Sequence, residues 1–232
     1  MTVGCALRDI PVRDLPSPNQ DSRPAGTPVD TLILHYTGMQ SAQAALDRLR
    51  DPAAAVSSHY VVEEDGTVWR LVPEGRRAFH AGVSSWRGHT ALNGRSIGIE
   101  VVNPGHDWGY RAFPALQMAA VCDLCLGILH RHPIPARNVV GHSDVAPDRK
   151  QDPGELFDWP GLARNGVGLW PGANGAPVGD AGAALAAIGY PVPDLATALR
   201  AFQRHWLPAQ VSGMADPATL ARLGAVLAAA TA

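Results

Sequence analysis

The run Thr31-Leu-Ile-Leu-His35-Tyr36 constrains this chain more than any other segment, because its aliphatic residues follow one another with no polar residue between them. A strand with one wet face alternates apolar and polar residues, whereas an unbroken apolar strand has both faces covered. The chain must therefore place layers on both sides of a sheet, and this strand is expected at its centre. Ser58–Glu63 and Thr67–Val72 read as a hairpin joined at Asp65-Gly66, a tight-turn pair. Ser96–Val102 and Asn138–Gly141 read as further strands.

Helices alternate with these strands. Ser41 is an N-cap for residues 42–50, stopped at Asp51-Pro52 because the residue before proline disfavours helical geometry. Pro114–His130 carries a second, amphipathic helix. The order predicts an α/β domain with a mixed central β-sheet flanked by helices. Residues 1–30, rich in Pro, Asp and Arg, are expected to form an extended surface arm, with regular structure starting at Thr31. Residues 73–95 and the polar stretch from His142 to about Trp159 are expected to be irregular.

After Trp170-Pro171 the composition shifts to Gly, Ala and Pro. Asp180, Asp194 and Asp216-Pro217 then cap three helical segments, with Leu195, Leu199, Phe202 and Trp206 on one stripe and Leu220, Leu223 and Leu227 on another. Residues 31–171 and 175–232 are thus expected to be a larger domain and a small three-helix domain. The second holds no cluster of acids, bases or ligands, so it is expected to be separable from the chemistry.

A net charge of −2 without a dense Lys/Arg run excludes the electrostatic footprint of nucleic-acid binding. No segment reaches the roughly 18 consecutive apolar residues of a membrane helix, and the first thirty residues lack the apolar core of an export signal. Three cysteines give no disulfide framework, and the Cys122-x-x-Cys125 pair is expected to be two small apolar residues on a helix rather than half a metal site.

Chemistry needs polar groups on rigid supports. His35 closes an apolar strand, and His142 follows Val139-Val140-Gly141 at the end of another. Hydrolytic zinc sites commonly offer three protein ligands from His and a carboxylate and keep a fourth position open. The loop after His142 supplies three carboxylates, Asp144, Asp148 and Asp152, and spacing does not choose among them. Glu100 alternates with Ile97 and Ile99 along its strand, which sets a carboxyl group among apolar neighbours.

The segments Leu34-His-Tyr-Thr37, Val56-Ser-Ser-His-Tyr60, Arg77-Ala-Phe-His-Ala-Gly82, Ser96-Ile-Gly-Ile-Glu100 and Gly141-His-Ser-Asp-Val-Ala-Pro-Asp-Arg-Lys-Gln-Asp-Pro-Gly154 resemble, in order, the type 2 N-acetylmuramoyl-L-alanine amidases, relatives of the peptidoglycan recognition proteins. The resemblance spans about residues 31–160 and implies that His35, His142 and Asp152 ligate Zn2+, that Glu100 is the catalytic acid/base and that Lys150 stabilises developing negative charge. It implies a hydrolase cutting the amide between N-acetylmuramic acid and L-alanine in peptidoglycan or an anhydromuropeptide. It also makes residues 175–232 look like a helical peptidoglycan-binding unit. Phe79 stands where relatives commonly have Trp, which leaves an aromatic wall. Substrate contacts are expected from His59, Tyr60, His80, Trp86, Arg87 and Asn93. The chain is expected to act as a monomer in the cytoplasm, with the periplasm as the alternative. A non-catalytic recognition protein of the same fold and a different zinc amidohydrolase are the rival functions.

Overall fold

The computed structural model describes residues 10–172 and 175–232. Its strands are β1 (Val12–Asp14), β2 (Gln20–Ser22), β3 (Thr31–Tyr36), β4 (Tyr60–Val62), β5 (Val68–Arg70), β6 (Arg76–Ala78), β7 (Ser85–Trp86), β8 (His89–Thr90), β9 (Ser96–Val101) and β10 (Val139–Gly141). Its helices are α1 (Ala42–Arg50), α2 (Ala115–Arg131), α3 (His142–Val145), α4 (Trp159–Arg164), α5 (Ala181–Ile188), α6 (Leu195–Trp206) and α7 (Pro217–Thr231). Six strands form one sheet in the order β1-β5-β4-β9-β3-β10; β4 and β5 run antiparallel and every other neighbouring pair is parallel.

The unbroken strand β3 is paired on both sides, and Leu32, Ile33 and Leu34 are fully buried. It lies one strand in from an edge rather than at the sheet's middle, because the short β10 closes that side and β1 extends the other. On one face, Leu32, Leu34, Ile97 and Ile99 pack against Val121, Cys122, Leu124, Cys125 and Ile128 of α2 and against Phe157, Trp159 and Leu162. This places both cysteines in the core.

The opposite face is divided. At one side α1 delivers Leu46 and Leu49 onto Val61, Leu71 and Val72. At the other, Leu185, Leu199, Phe202, Leu223 and Val226 of the three C-terminal helices form one cluster with Ile33, Val140, Val145, Trp86 and Leu92. The capping aspartates act as the sequence implies, Asp180, Asp194 and Asp216 each accepting from a first-turn amide. The boundary between 31–171 and 175–232, however, crosses a shared apolar core, so these helices are not a unit standing apart from the sheet.

The N-terminal arm also departs from expectation. Regular structure starts before Thr31: β1 joins the sheet edge beside β5, and β2 pairs with β6. Three-residue strands that find partners about 55 positions away leave no periodicity to read. Arg23 then fastens the arm, donating to the carbonyls of Glu74, Gly94 and Ser96 and meeting His59 Nε2 at 3.0 Å. The first nine residues of the expected arm, Cys5 among them, lie outside the described residues.

Candidate active site

Strand pairing alone assembles the centre of the site. Side chains opposite one another on neighbouring strands share a face, and His35 stands opposite Glu100 in the β3–β9 pair. Val140 stands opposite Ile33. His142, two residues beyond Val140, therefore comes level with His35, two beyond Ile33. The row His142, His35, Glu100 crosses the sheet between the α1 cluster and the C-terminal helices.

Asp152 closes the group from the loop. His35 Nδ1 lies 2.9 Å from His142 Nδ1 and 3.1 Å from Asp152 Oδ2, and His142 Nδ1 lies 3.0 Å from the same oxygen. All three residues are buried, and among the described residues they are the group of His, Cys, Asp and Glu side chains able to hold a metal ion. The outer ring nitrogens are engaged: His35 Nε2 is 3.1 Å from His80 Nδ1, and His142 Nε2 is 3.2 Å from the carbonyl of Ala81. Such outer contacts orient imidazoles so that the remaining nitrogen faces a metal. A tetrahedral ion with arms of about 2.0–2.1 Å holds its ligands roughly 3.3 Å apart, so the two nitrogens and the oxygen fit such an ion with little adjustment.

The three carboxylates left open by spacing separate here. Asp148 is exposed, Asp144 is buried but turned to the amide of Gly141 at 2.7 Å, and Asp152 faces the histidines. Ser143 donates its amide to the carbonyl of Asp152 at 2.8 Å, folding the loop back on itself. At Gly154, with φ of +84°, a Cβ would lie 2.4 Å from the Tyr110 hydroxyl, so glycine is required there. The hydroxyl donates to the carbonyl of Pro153 and accepts from the amide of Leu156, fixing the loop just after Asp152.

Burial sets the protonation of the group. Burial and the neighbouring His142 push the His35 imidazole down to about 4, and burial with Arg23 nearby pushes His59 to about 3. Burial and the neighbouring His35 also hold His80 well below its ordinary value. Burial opposes charge on Asp152, but His142 and His35 outweigh it and hold that carboxyl low. Glu100 goes the other way: burial, then the charge of Asp152, raise it well above the usual carboxylate range, with Lys150 opposing. Its Oε2 is buried without a hydrogen-bond partner among the described residues.

These shifts fix the acid response of the metal-free protein. His35, His59 and His80 have folded values below 6.5, so as pH falls through 6.5 toward 5 the unfolded chain fills these three sites with protons that the folded chain refuses. Glu100 has the opposite sign, because its raised folded value makes the folded chain bind that proton more tightly than the unfolded chain does. Each proton that the unfolded chain binds in excess costs about 1.4 kcal/mol per pH unit, and three histidines outweigh the single opposing carboxyl. The metal-free protein should lose on the order of 3 kcal/mol between pH 6.5 and 5, measured by urea titration at each pH. A flat profile would mean that these histidines titrate normally.

A cleft of about 370 Å³ opens over this centre and is lined by His80, Glu100, His142, Lys150 and Asp152. Tyr36, Met39, Arg48, Phe79, Asp107 and Arg149 also line it, and none of these was among the expected site residues. Of the six expected substrate contacts only His80 reaches the cleft. His59 is buried, accepting from the amide of Gly98 through Nδ1. Tyr60 faces the α2 side and donates to Glu74. Trp86 lies in the core against Tyr190, and Arg87 donates to the carbonyl of Ile188. Asn93 Oδ1 accepts from the amides of His80 and Ala81. Their polarity serves the fold of the 73–95 segment. Gly98 belongs to the same arrangement, since a Cβ there would lie 2.5 Å from the His80 ring.

Residues 25–155 match the family described as N-acetylmuramoyl-L-alanine amidase. The chain is 38% identical over 230 residues to N-acetylmuramoyl-L-alanine amidase AmiD of Escherichia coli (strain K12), covering 86% of this chain and 82% of that protein. The fold agrees with the solved complex of AmiD from E. coli with the substrate anhydro-N-acetylmuramic acid-L-Ala-D-gamma-Glu-L-Lys, at TM-score 0.78 and 37% identity over 88% of this chain and 91% of that one. It agrees with AmpDh3 from Pseudomonas aeruginosa at TM-score 0.81 and 33% identity, over 90% and 95% of the two chains. With the motifs in order and a buried His-His-Asp group at the base of the cleft, the chain belongs to the type 2 N-acetylmuramoyl-L-alanine amidase family.

Proposed function

We propose that this chain is a zinc-dependent hydrolase that cuts the amide between N-acetylmuramic acid and L-alanine of a muropeptide. The observation that carries the reading is the convergence of His35 Nδ1, His142 Nδ1 and Asp152 Oδ2 within 3.1 Å of one another, in the cleft that Glu100 also lines, with Glu100 Oε2 unpartnered among the described residues. Two imidazoles and a carboxylate are a donor set suited to Zn2+. When bound there, zinc supplies Lewis-acid chemistry toward water and an amide carbonyl.

The rest falls to the chain. Glu100, whose carboxyl is raised well above the usual carboxylate range by burial and by the charge of Asp152, takes a proton from the attacking water and passes it to the departing alanine nitrogen. Lys150, on the cleft wall, offers an ammonium to the oxyanion that develops on the carbonyl. Water adds to the carbonyl carbon, the C–N bond breaks, and a muramic carboxylate and a free alanine amine result. The anhydromuropeptide bound to AmiD supports this substrate class, and the cleft volume suits a fragment of that kind.

The test is product analysis. Incubation of the zinc-loaded protein with anhydro-N-acetylmuramic acid-L-Ala-D-γ-Glu-L-Lys should release anhydro-N-acetylmuramic acid and an intact tripeptide by mass spectrometry. Cleavage inside the peptide would point to another amidohydrolase. Binding without product would leave a recognition protein.

A further inference from the structure

The C-terminal end of α6 runs along the loop that carries His142, Lys150 and Asp152. Three consecutive residues touch that loop or its partners. Arg204 Nη2 donates to Gln151 Oε1 at 3.0 Å, beside Asp152. His205 Nδ1 lies 2.7 Å from Asp144 Oδ2, two residues after His142, and its ring stacks on Trp159 at 3.9 Å. Trp206 Nε1 donates to the Tyr190 hydroxyl at 2.9 Å, and that hydroxyl donates to Asp144 Oδ1 at 2.7 Å.

Asp144 is 1% exposed and its two oxygens receive three donors, the third being the amide of Gly141. Gly141 and Asp144 bracket His142, so this carboxylate sets where the short helix α3 leaves β10, and with it the direction of the His142 ring. Two of the three donors come from residues beyond 175. A buried carboxylate stripped of such donors turns away or recruits others, because the cost of leaving it unmet is large.

We infer that Tyr190 and His205 are positioning residues for the metal centre, acting through Asp144, and that the C-terminal helices form part of the ligand-holding structure instead of a detachable wall-binding unit. The inference rests on the reading of His35, His142 and Asp152 as a zinc site. Neither residue touches the cleft; each acts by holding Asp144, and Asp144 holds the backbone on both sides of His142.

The experiment measures zinc affinity of the full chain by competition with a chromophoric chelator, with a thermal melt of each metal-free protein alongside. Tyr190→Phe removes one hydroxyl, His205→Ala removes a donor and the ring, and His205→Asn returns an N–H near the position of Nδ1. His205→Ala should weaken zinc roughly tenfold, the lower end of what outer contacts to metal ligands give. Tyr190→Phe should weaken it severalfold, and His205→Asn should recover most of the loss. If His205→Ala does not fold, the Tyr190→Phe and His205→Asn values decide. Folded variants that all bind zinc within twofold of the parent would overturn the inference, even with lowered melting temperatures, because a purely structural role would move the melt alone. A parent chain that binds no zinc would instead overturn the metal reading, and this inference with it.

Discussion

Asp152→Asn is expected to bind zinc on the order of 10³-fold more weakly than the parent and to lose turnover by a comparable factor. The carboxylate is the charged donor of the group, and its Oδ2 is shared by both imidazoles at 3.0 and 3.1 Å. An amide of the same shape offers a neutral oxygen, or turns its NH2 inward, where it repels an ion. A metal that stabilises developing charge by several kcal/mol is worth three or more decades of rate at about 1.4 kcal/mol per decade. His142→Ala should have the same outcome with an added stability loss, because it takes a hydrogen-bond partner from the buried Asp152 carboxylate, which typically costs about 1–3 kcal/mol. Asp152→Asn is thus the cleaner variant. Cys122→Ser, in the α2 core on the other face of the sheet, should leave zinc unchanged. Zinc content after dialysis and release of tripeptide from the muropeptide check all three variants; stoichiometric zinc in Asp152→Asn would remove Asp152 from the ligand set.

What was legible in the sequence follows the range over which the chain signals its structure. The unbroken aliphatic run gave β3, the Ser41 and Asp51-Pro52 punctuation gave both ends of α1, and the aspartate caps gave the three C-terminal helices. Each is a local effect of a few residues. The edge strands β1 and β2 were illegible because three residues carry no period and their partners lie far along the chain. The His-His-Asp group was half legible: a histidine at each strand end was visible, but choosing Asp152 over Asp144 and Asp148 needed either the family resemblance or the folded loop. Most of the expected substrate contacts lie outside the cleft for one reason. In an irregular segment, polar side chains such as Asn93 are as useful for satisfying backbone amides as for meeting a ligand, and composition does not separate the two uses. The surroundings of the tail were illegible for a similar reason, since an apolar stripe on a helix shows that it is covered but not by what.

Glu100→Gln is expected to lower turnover by about 10²–10⁴-fold, the range for loss of a general acid–base, while zinc stays at the parent level. Glutamine keeps the length and the position opposite His35, but cannot take a proton from water and return it to the leaving amine. Stability supplies an independent reading of the same residue. Glu100 Oε2 has no hydrogen-bond partner among the described residues, and the charge of Asp152 opposes its ionisation, so the carboxyl group is held at a cost to the fold, as groups retained for chemistry often are. The metal-free Gln variant should therefore melt no lower than the parent at pH 8, where an ionised Glu100 is most costly. A residue kept for packing would behave in the opposite way, with a lower melt and near-parent turnover. Lys150→Ala should reduce turnover by about 10²-fold or more if its ammonium meets the oxyanion. The double variant should fall short of the product of the two losses, since groups that act on one transition state are not additive. Multiplicative losses would mean that the two residues serve separate steps.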